Sequence, residues 1–83
     1  MIKSYMNLSL EVSAHDEFEQ FVKEDSSILF CDAVAGEWNY LLKAEFEDIA
    51  DFDDFICEVK ERFVTIALES SVVLHNCVKE KIA

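Results

Sequence analysis

The sequence predicts an α+β domain, a four-stranded antiparallel sheet with two helices on one face. Three observations lead there: apolar residues alternate with period two in three stretches and form a short bounded run in a fourth, they recur at helical spacing in two others, and the stretches run strand, helix, strand, strand, helix, strand. One domain spanning residues 1–83 is expected, because 83 residues with one Gly and no Pro leave no linker to divide them. A hydrophobic content of 52% excludes a disordered chain, and no 20–50 residue unit repeats.

Leu8, Leu10 and Val12 alternate with Asn7, Ser9 and Glu11, the mark of a strand with one buried face. Ser13-Ala14-His15-Asp16 offers a capping serine with a carboxylate three residues on, followed by Phe18, Phe21 and Val22, so a helix is expected from Ala14 to Asp25. Ile28 to Val34, bounded by Ser26-Ser27 and Gly36, reads as the second strand. Ala35-Gly36-Glu37-Trp38-Asn39 then reads as a hairpin connection, with Gly36 and Asn39 tolerating positive φ. Tyr40, Leu42, Ala44 and Phe46 form one face of the third strand, and Leu41, Lys43 and Glu45 the other. Asp48 or Asp51 caps a second helix in which Phe52, Phe55, Ile56, Val59 and Phe63 fall at steps of 3, 1, 3 and 4. Val64 to Leu74 closes the pattern as a long strand, with Val64, Ile66, Leu68, Ser70, Val72 and Leu74 on one face.

With right-handed crossovers this order gives the ferredoxin-like βαββαβ arrangement. Two helices cover one side of the sheet, and the other side is expected to carry Leu29, Cys31, Ala33, Leu41, Thr65, Ala67 and Val73, or the complementary set. Neither set is cleanly polar. A contiguous apolar face is rarely left in water, and a 9.6 kDa chain hides only roughly 60% of its unfolded surface, so dimerisation through the open face, as in a dimeric α/β barrel, is the physical expectation.

Eighteen acidic against seven basic residues give a net charge of −11, which repels a phosphate backbone and anionic membranes alike. No direct nucleic-acid or membrane partner is expected. Met1 to Met6 holds one Lys and no apolar run, unlike a signal peptide, and a cytoplasmic location is expected. Cys31, Cys57 and Cys77 lack CxxC spacing and read as reduced, mostly buried thiols; His15 and His75 share no helical face with them, so neither a metal nor another cofactor is expected.

The run Ala33-Val34-Ala35-Gly36-Glu37-Trp38-Asn39-Tyr40-Leu41-Leu42-Lys43-Ala44-Glu45-Phe46 resembles the hallmark hairpin of the Lrp/AsnC regulators: a glycine, any residue, an aromatic and an aspartate, then an apolar strand. Asp51 to Phe63 is similar to that family's second helix. Thr65 to Lys79 resembles its last strand, with Ser70-Ser71-Val72-Val73-Leu74 and Lys79 in the characteristic places. The likeness spans Leu8 to Lys79. Asn39 stands where the family prefers aspartate, a change of charge and donor capacity consistent with an altered effector response. No glycine precedes the last strand or separates the first helix from the second strand. The resemblance implies the family's ligand-binding and oligomerisation (RAM) domain, which dimerises, assembles into rings of dimers, and senses amino acids or related small molecules between dimers. The family's usual DNA-binding helix-turn-helix is absent from this sequence, which reads either as a stand-alone sensing domain or as a fragment of a longer regulator.

Within the hairpin that the family places beside its effector cleft, Glu37 could pair with a ligand ammonium, Asn39 could hold a carboxylate or amide, and Trp38 could form an apolar wall or anchor neighbouring dimers. Gly36 to Asn39 equally suit an ordinary tight turn. Ser70 and Ser71 could bind the polar end of a ligand, or pack and bond to nearby backbone; no His partner at catalytic spacing makes either a nucleophile. Glu45, Glu47, Asp48, Asp51, Asp53 and Asp54 lack the spacing and central glycine of a calcium loop and read as a solvated helix start.

The leading reading is a non-enzymatic, oligomerising, amino-acid-sensing domain of a transcription regulator. Its expected partners are further copies of itself, a small effector and full-length Lrp/AsnC relatives. Two alternatives remain open. A dimeric α/β-barrel enzyme would need a pocket-facing His, Asp or Arg, and Arg62 falls on an exposed helix surface; an ACT-like regulatory domain would carry a glycine where Ser13-Ala14-His15 fills the turn.

Overall fold

The computed structural model describes residues 1–78. Lys79 therefore lies outside the described residues. The chain runs β1 (Ile2–Leu10), a 3-10 turn (Val12–Ala14), α1 (His15–Glu24), β2 (Ile28–Ala33), β3 (Tyr40–Phe46), α2 (Ile49–Arg62) and β4 (Thr65–Val72). The strands form one antiparallel sheet in the order β2-β3-β1-β4. Each helix thus crosses over one intervening strand, the split βαβ arrangement of a ferredoxin-like fold.

The inward side chains of the central strands, Met6, Leu8, Leu10, Tyr40, Leu42, Ala44 and Phe46, join Phe18 and Val22 of α1 and Phe52, Phe55 and Val59 of α2 in one core. Aromatic pairs bind the layers: Phe18 meets Tyr40 at 4.9 Å and Phe63 at 5.5 Å between ring centroids, and Phe46 meets Phe52 at 5.7 Å. Asp48 caps α2, its side chain accepting from the Asp51 N–H at 2.9 Å.

Several local expectations are corrected. β1 begins at Ile2, six residues before Leu8, and ends at Leu10. Its early half was hidden because Ser4 is fully buried where an apolar residue would ordinarily mark the face, and two neighbours, β3 and β4, hold it in register. Val12 leaves the strand and is 83% exposed. Ser13 caps nothing: Val12–Ala14 form the 3-10 turn, closed by the Ala14 N–H on the Glu11 carbonyl at 2.9 Å, and α1 starts at His15 with Ala14 as an N-cap lacking a side-chain bond. After α1 the chain turns without glycine, because the Asp25 side chain accepts the Ser27 N–H at 2.9 Å and its carbonyl accepts the Ile28 N–H at 3.1 Å.

β2 stops at Ala33 and β4 at Val72, and both carry register irregularities. In β4 the pairing steps from Ser9 with Ala67 to Leu10 with Thr65, so Ile66 is the surplus residue. That step turns Thr65 to the face shared with Leu10 and leaves Ile66 67% exposed. In β2 the surplus residue is Leu29, and beyond it Cys31 and Ala33 stand opposite Leu42 and Tyr40, on the face that the helices cover. The expected apolar open face therefore does not form as one set. It carries Tyr5, Leu41, Phe30 and Ala67 among Lys3, Asp32, Lys43, Glu45 and Glu69, and the Lys43 ammonium lies 5.2 Å from the Tyr5 ring centroid. The thiols differ as well: Cys31 is half-buried, but Cys57 and Cys77 are exposed, because Phe52, Phe55, Ile56 and Val59 complete the inner stripe of α2 without Cys57.

Candidate functional site

The β2–β3 hairpin is joined to the end of β1 by a short set of bonds around Asn39. The Val34 N–H donates to the Asn39 carbonyl at 2.8 Å, the Asn39 N–H to the Leu8 carbonyl at 2.8 Å, and the Leu10 N–H to Asn39 Oδ1 at 2.7 Å. Asn39 thus extends the β1–β3 ladder by one rung with its backbone and a second with its side chain. The expectation of a positive φ at Asn39 is not met: among the described residues Gly36 alone has one, at 134°. A Cβ on Gly36 would meet nothing within 4 Å, so the glycine serves the backbone turn rather than a close contact. Glu37 projects into solvent at the loop's tip, while Trp38 and Asn39 are half-buried at its base.

This geometry narrows what Asn39 can offer. Its oxygen is committed to Leu10, so the groups left for a partner are the two N–H donors of the amide, which suit an acceptor such as a carboxylate. Gly36, Glu37, Trp38 and Asn39 come together at this one corner. Ser70 and Ser71 do not join them, since they stand opposite Met6 and Tyr5 on the edge strand β4, with β1 between them and the hairpin. Successive strand residues point to opposite faces, so the two exposed hydroxyls also diverge from each other.

A second feature, absent from the reading of the sequence, lies on the other flank of the hairpin. A groove of about 290 Å3 opens between α1 and β2, with Glu19, Val22 and Lys23 on one side, Ile28, Phe30 and Cys31 on the other, and Tyr40 at its floor. The Tyr40 hydroxyl donates to Glu19 Oε2 at 2.6 Å. Burial, then this bond and the Glu19 charge, hold the Tyr40 phenol well above its ordinary range. Burial also pushes the Cys31 thiol up to about 11, with the Asp32 and Glu19 charges adding to it. The only trace of the groove in the sequence is the pairing of Glu19 and Lys23 one turn apart beside Val22, which looks like any solvated helix face.

The acidic residues Glu47, Asp48, Asp51, Asp53 and Asp54 are exposed around the start of α2, where Asp48 acts as the cap. Arg62 is exposed, ion-paired with Glu58 at 3.5 Å, and its guanidinium lies 4.9 Å from the Phe21 ring centroid. No described helix is long and apolar enough to cross a membrane.

Comparison with known proteins bears on this fold. No curated protein sequence matches the chain at a significant level. Among solved structures, the transcriptional regulator NMB0573 of Neisseria meningitidis, in complex with L-Met, is similar at 26% identity with a TM-score of 0.81, over 94% of this chain and 53% of that one. LrpC of B. subtilis is similar at 18% identity and a TM-score of 0.81, over 95% of this chain and 54% of that one. FFRP-DM1 is similar at 16% identity and a TM-score of 0.80, over 89% of this chain and all of that one. The chain thus spans about half the length of the first two and matches the third throughout. The family profile described as the Lrp/AsnC ligand binding domain matches residues 3–82, nearly the whole sequence, and the chain belongs to that family.

Proposed function

We propose that the chain is a non-enzymatic, oligomerising, amino-acid-sensing domain that serves a transcription regulator, with Gly36, Glu37, Trp38 and Asn39 forming its share of an effector site completed by a second copy. The observation that carries this reading is the way Asn39 is built into the β1–β3 ladder, holding Trp38 and Glu37 at a fixed corner with the amide donors of Asn39 left for a partner. Family membership and the L-Met complex of the Neisseria relative support an amino-acid ligand. Ser70 and Ser71, distant within one chain, enter such a site only from a neighbouring copy.

In this reading the chain pairs through the open face of the sheet, which carries Leu41 and Tyr5 among Lys3, Lys43, Glu45 and Glu69. That interface is more polar than the sequence led us to expect, and its charges must be matched rather than merely covered. The net charge of −11 further suits mixing with a DNA-binding relative whose own basic surface does the binding.

Light scattering on the purified chain, with and without each amino acid, tests the reading. The expected result is a dimer or larger assembly whose mass shifts with one compound, and Trp38→Ala weakening the higher assembly while sparing the dimer. A monomer at every concentration, unresponsive to any amino acid, overturns it.

A further inference from the structure

The groove between α1 and β2 plays no part in that reading. Three features of its lining indicate what it could hold. Val22, Ile28 and Ala33 supply apolar walls, and Cys31, an uncharged and half-buried thiol at neutral pH, counts among them. Glu19 and Lys23 sit one helical turn apart on α1 and both line the space, so a carboxylate and an ammonium are presented to the same small volume. Glu19 is also fixed: Tyr40 holds its Oε2 at 2.6 Å, while Oε1 makes no hydrogen bond among the described residues. Lys23 makes no ion pair among those residues either, although its groove neighbour Asp25, whose Oδ1 is occupied by the Ser27 N–H, adds a further negative charge.

We propose that this groove is an amino-acid site complete within one chain: the ligand ammonium meets Glu19, its carboxylate meets Lys23, and an apolar side chain lies against Val22 and Ile28. The volume, about 290 Å3, suits a ligand of amino-acid size and is small for a nucleotide. A simple amine would leave Lys23 unmatched. A simple acid would face Glu19, Asp25 and the field of a chain with net charge −11. A zwitterion satisfies both ends, and the carboxylate that receives its ammonium is already oriented, so little ordering opposes binding. The site differs from the hairpin corner in place and in needing no second copy. Its floor residue, Tyr40, directly follows Asn39, so occupancy bears on the start of the strand that carries the hairpin.

An NMR titration of the isotopically labelled chain tests this. L-valine, L-leucine and L-phenylalanine are added at millimolar concentration, with 3-methylbutan-1-amine and 4-methylpentanoate as the two halves of leucine. At least one amino acid is expected to shift the resonances of Val22, Ile28 and Ala33. Glu19→Gln keeps an acceptor for Tyr40 but loses the charge, and should weaken binding about tenfold or more. Lys23→Met should weaken it comparably and Lys23→Arg restore it; the amine should be sensitive to Glu19→Gln and indifferent to Lys23→Met. Trp38→Ala should leave these shifts unchanged. Shifts confined to residues 36–39, no shifts with any of the three amino acids, or wild-type binding in both Glu19→Gln and Lys23→Met overturn the groove site. Groove shifts on a chain that stays monomeric at every concentration, with no amino acid changing its mass, uphold the groove site while removing the hairpin-based reading, so the two fail separately.

Discussion

The two faces of the sheet are made of the same strands and answer to different demands. On the inner face every second residue of β1 and β3 is buried against the helices, from Met6 and Leu8 to Leu42 and Phe46. On the outer face the alternate residues, Asn7, Ser9, Leu41, Lys43 and Glu45, are only half-buried, and apolar groups sit among charges of both signs. The inner face is what makes the chain fold. The outer face contributes less to that, and under the proposed pairing its charges of both signs, rather than apolar area, would select the partner.

Substitutions that separate stability from assembly sharpen this contrast. Phe18 is fully buried between Tyr40 and Phe63, and Phe18→Ala should cost about 3–5 kcal/mol, a large part of what so small a domain possesses. Urea denaturation of the variant measures it. Leu41→Glu on the outer face puts a carboxylate opposite Asp32 and should change the stability of a single copy by under about 1 kcal/mol while abolishing the dimer in light scattering. If Leu41→Glu still dimerises, pairing does not use that face and the distinction between the faces fails as drawn.

The hairpin corner combines both demands in one side chain. Asn39→Ala leaves the Leu10 N–H without its acceptor and should cost roughly 1–3 kcal/mol in denaturant titrations. Asn39→Asp keeps an oxygen for Leu10 and removes the amide donors, so it should hold stability while altering effector response. Equal loss of stability in both variants would mean that the amide nitrogens, rather than Oδ1, hold the corner together.

What could be read from the residues beforehand followed from spacing within one element. The steps between Phe52, Phe55, Ile56 and Val59 place them on one helical stripe whatever surrounds them, and Tyr40 to Phe46 alternate whatever strand lies beside them. Gly36 was legible for a similar reason, since only the backbone turn requires it. Features that depend on a partner elsewhere in the chain were not. The surplus residues Leu29 and Ile66 exist only relative to β3 and β1, and each reverses the face expected of its neighbours. Asn39 finds its acceptor role in Leu10, 29 residues away, and the α1–β2 groove draws Glu19, Cys31 and Tyr40 from three separate elements. Ser13 illustrates the reverse error: a local signature for a cap was present, but the chain formed a 3-10 turn there and placed His15 Nε2 at 3.2 Å from the Leu10 carbonyl.

The smallest effect concerns Cys31, at the border between the two regimes. Its thiol sits opposite Leu42 on the inner face of an edge strand, and burial holds its folded-state pKa at about 11 against an ordinary value of 9.0. The unfolded chain therefore releases the Cys31 proton at lower pH than the folded chain. Below pH 9 both states keep the proton and the shift has no effect; as pH rises from about 9 to about 11 the unfolded state alone is stabilised by ionising, and the protein loses stability across that window. Cys31→Ala removes this contribution, so its stability should fall less steeply than that of the parent between pH 9 and 11, compared by denaturant midpoint at each pH. The Tyr40 phenol, raised by burial and by its bond to Glu19, adds a decline of the same sign that starts from its ordinary value of 10.0, within the same window, in both proteins; the Cys31 charge is a minor cause of that shift, so the difference between the two proteins reports chiefly on Cys31. Parallel curves for the two would mean that water reaches the Cys31 sulfur freely and that β2 does not form part of the sealed face.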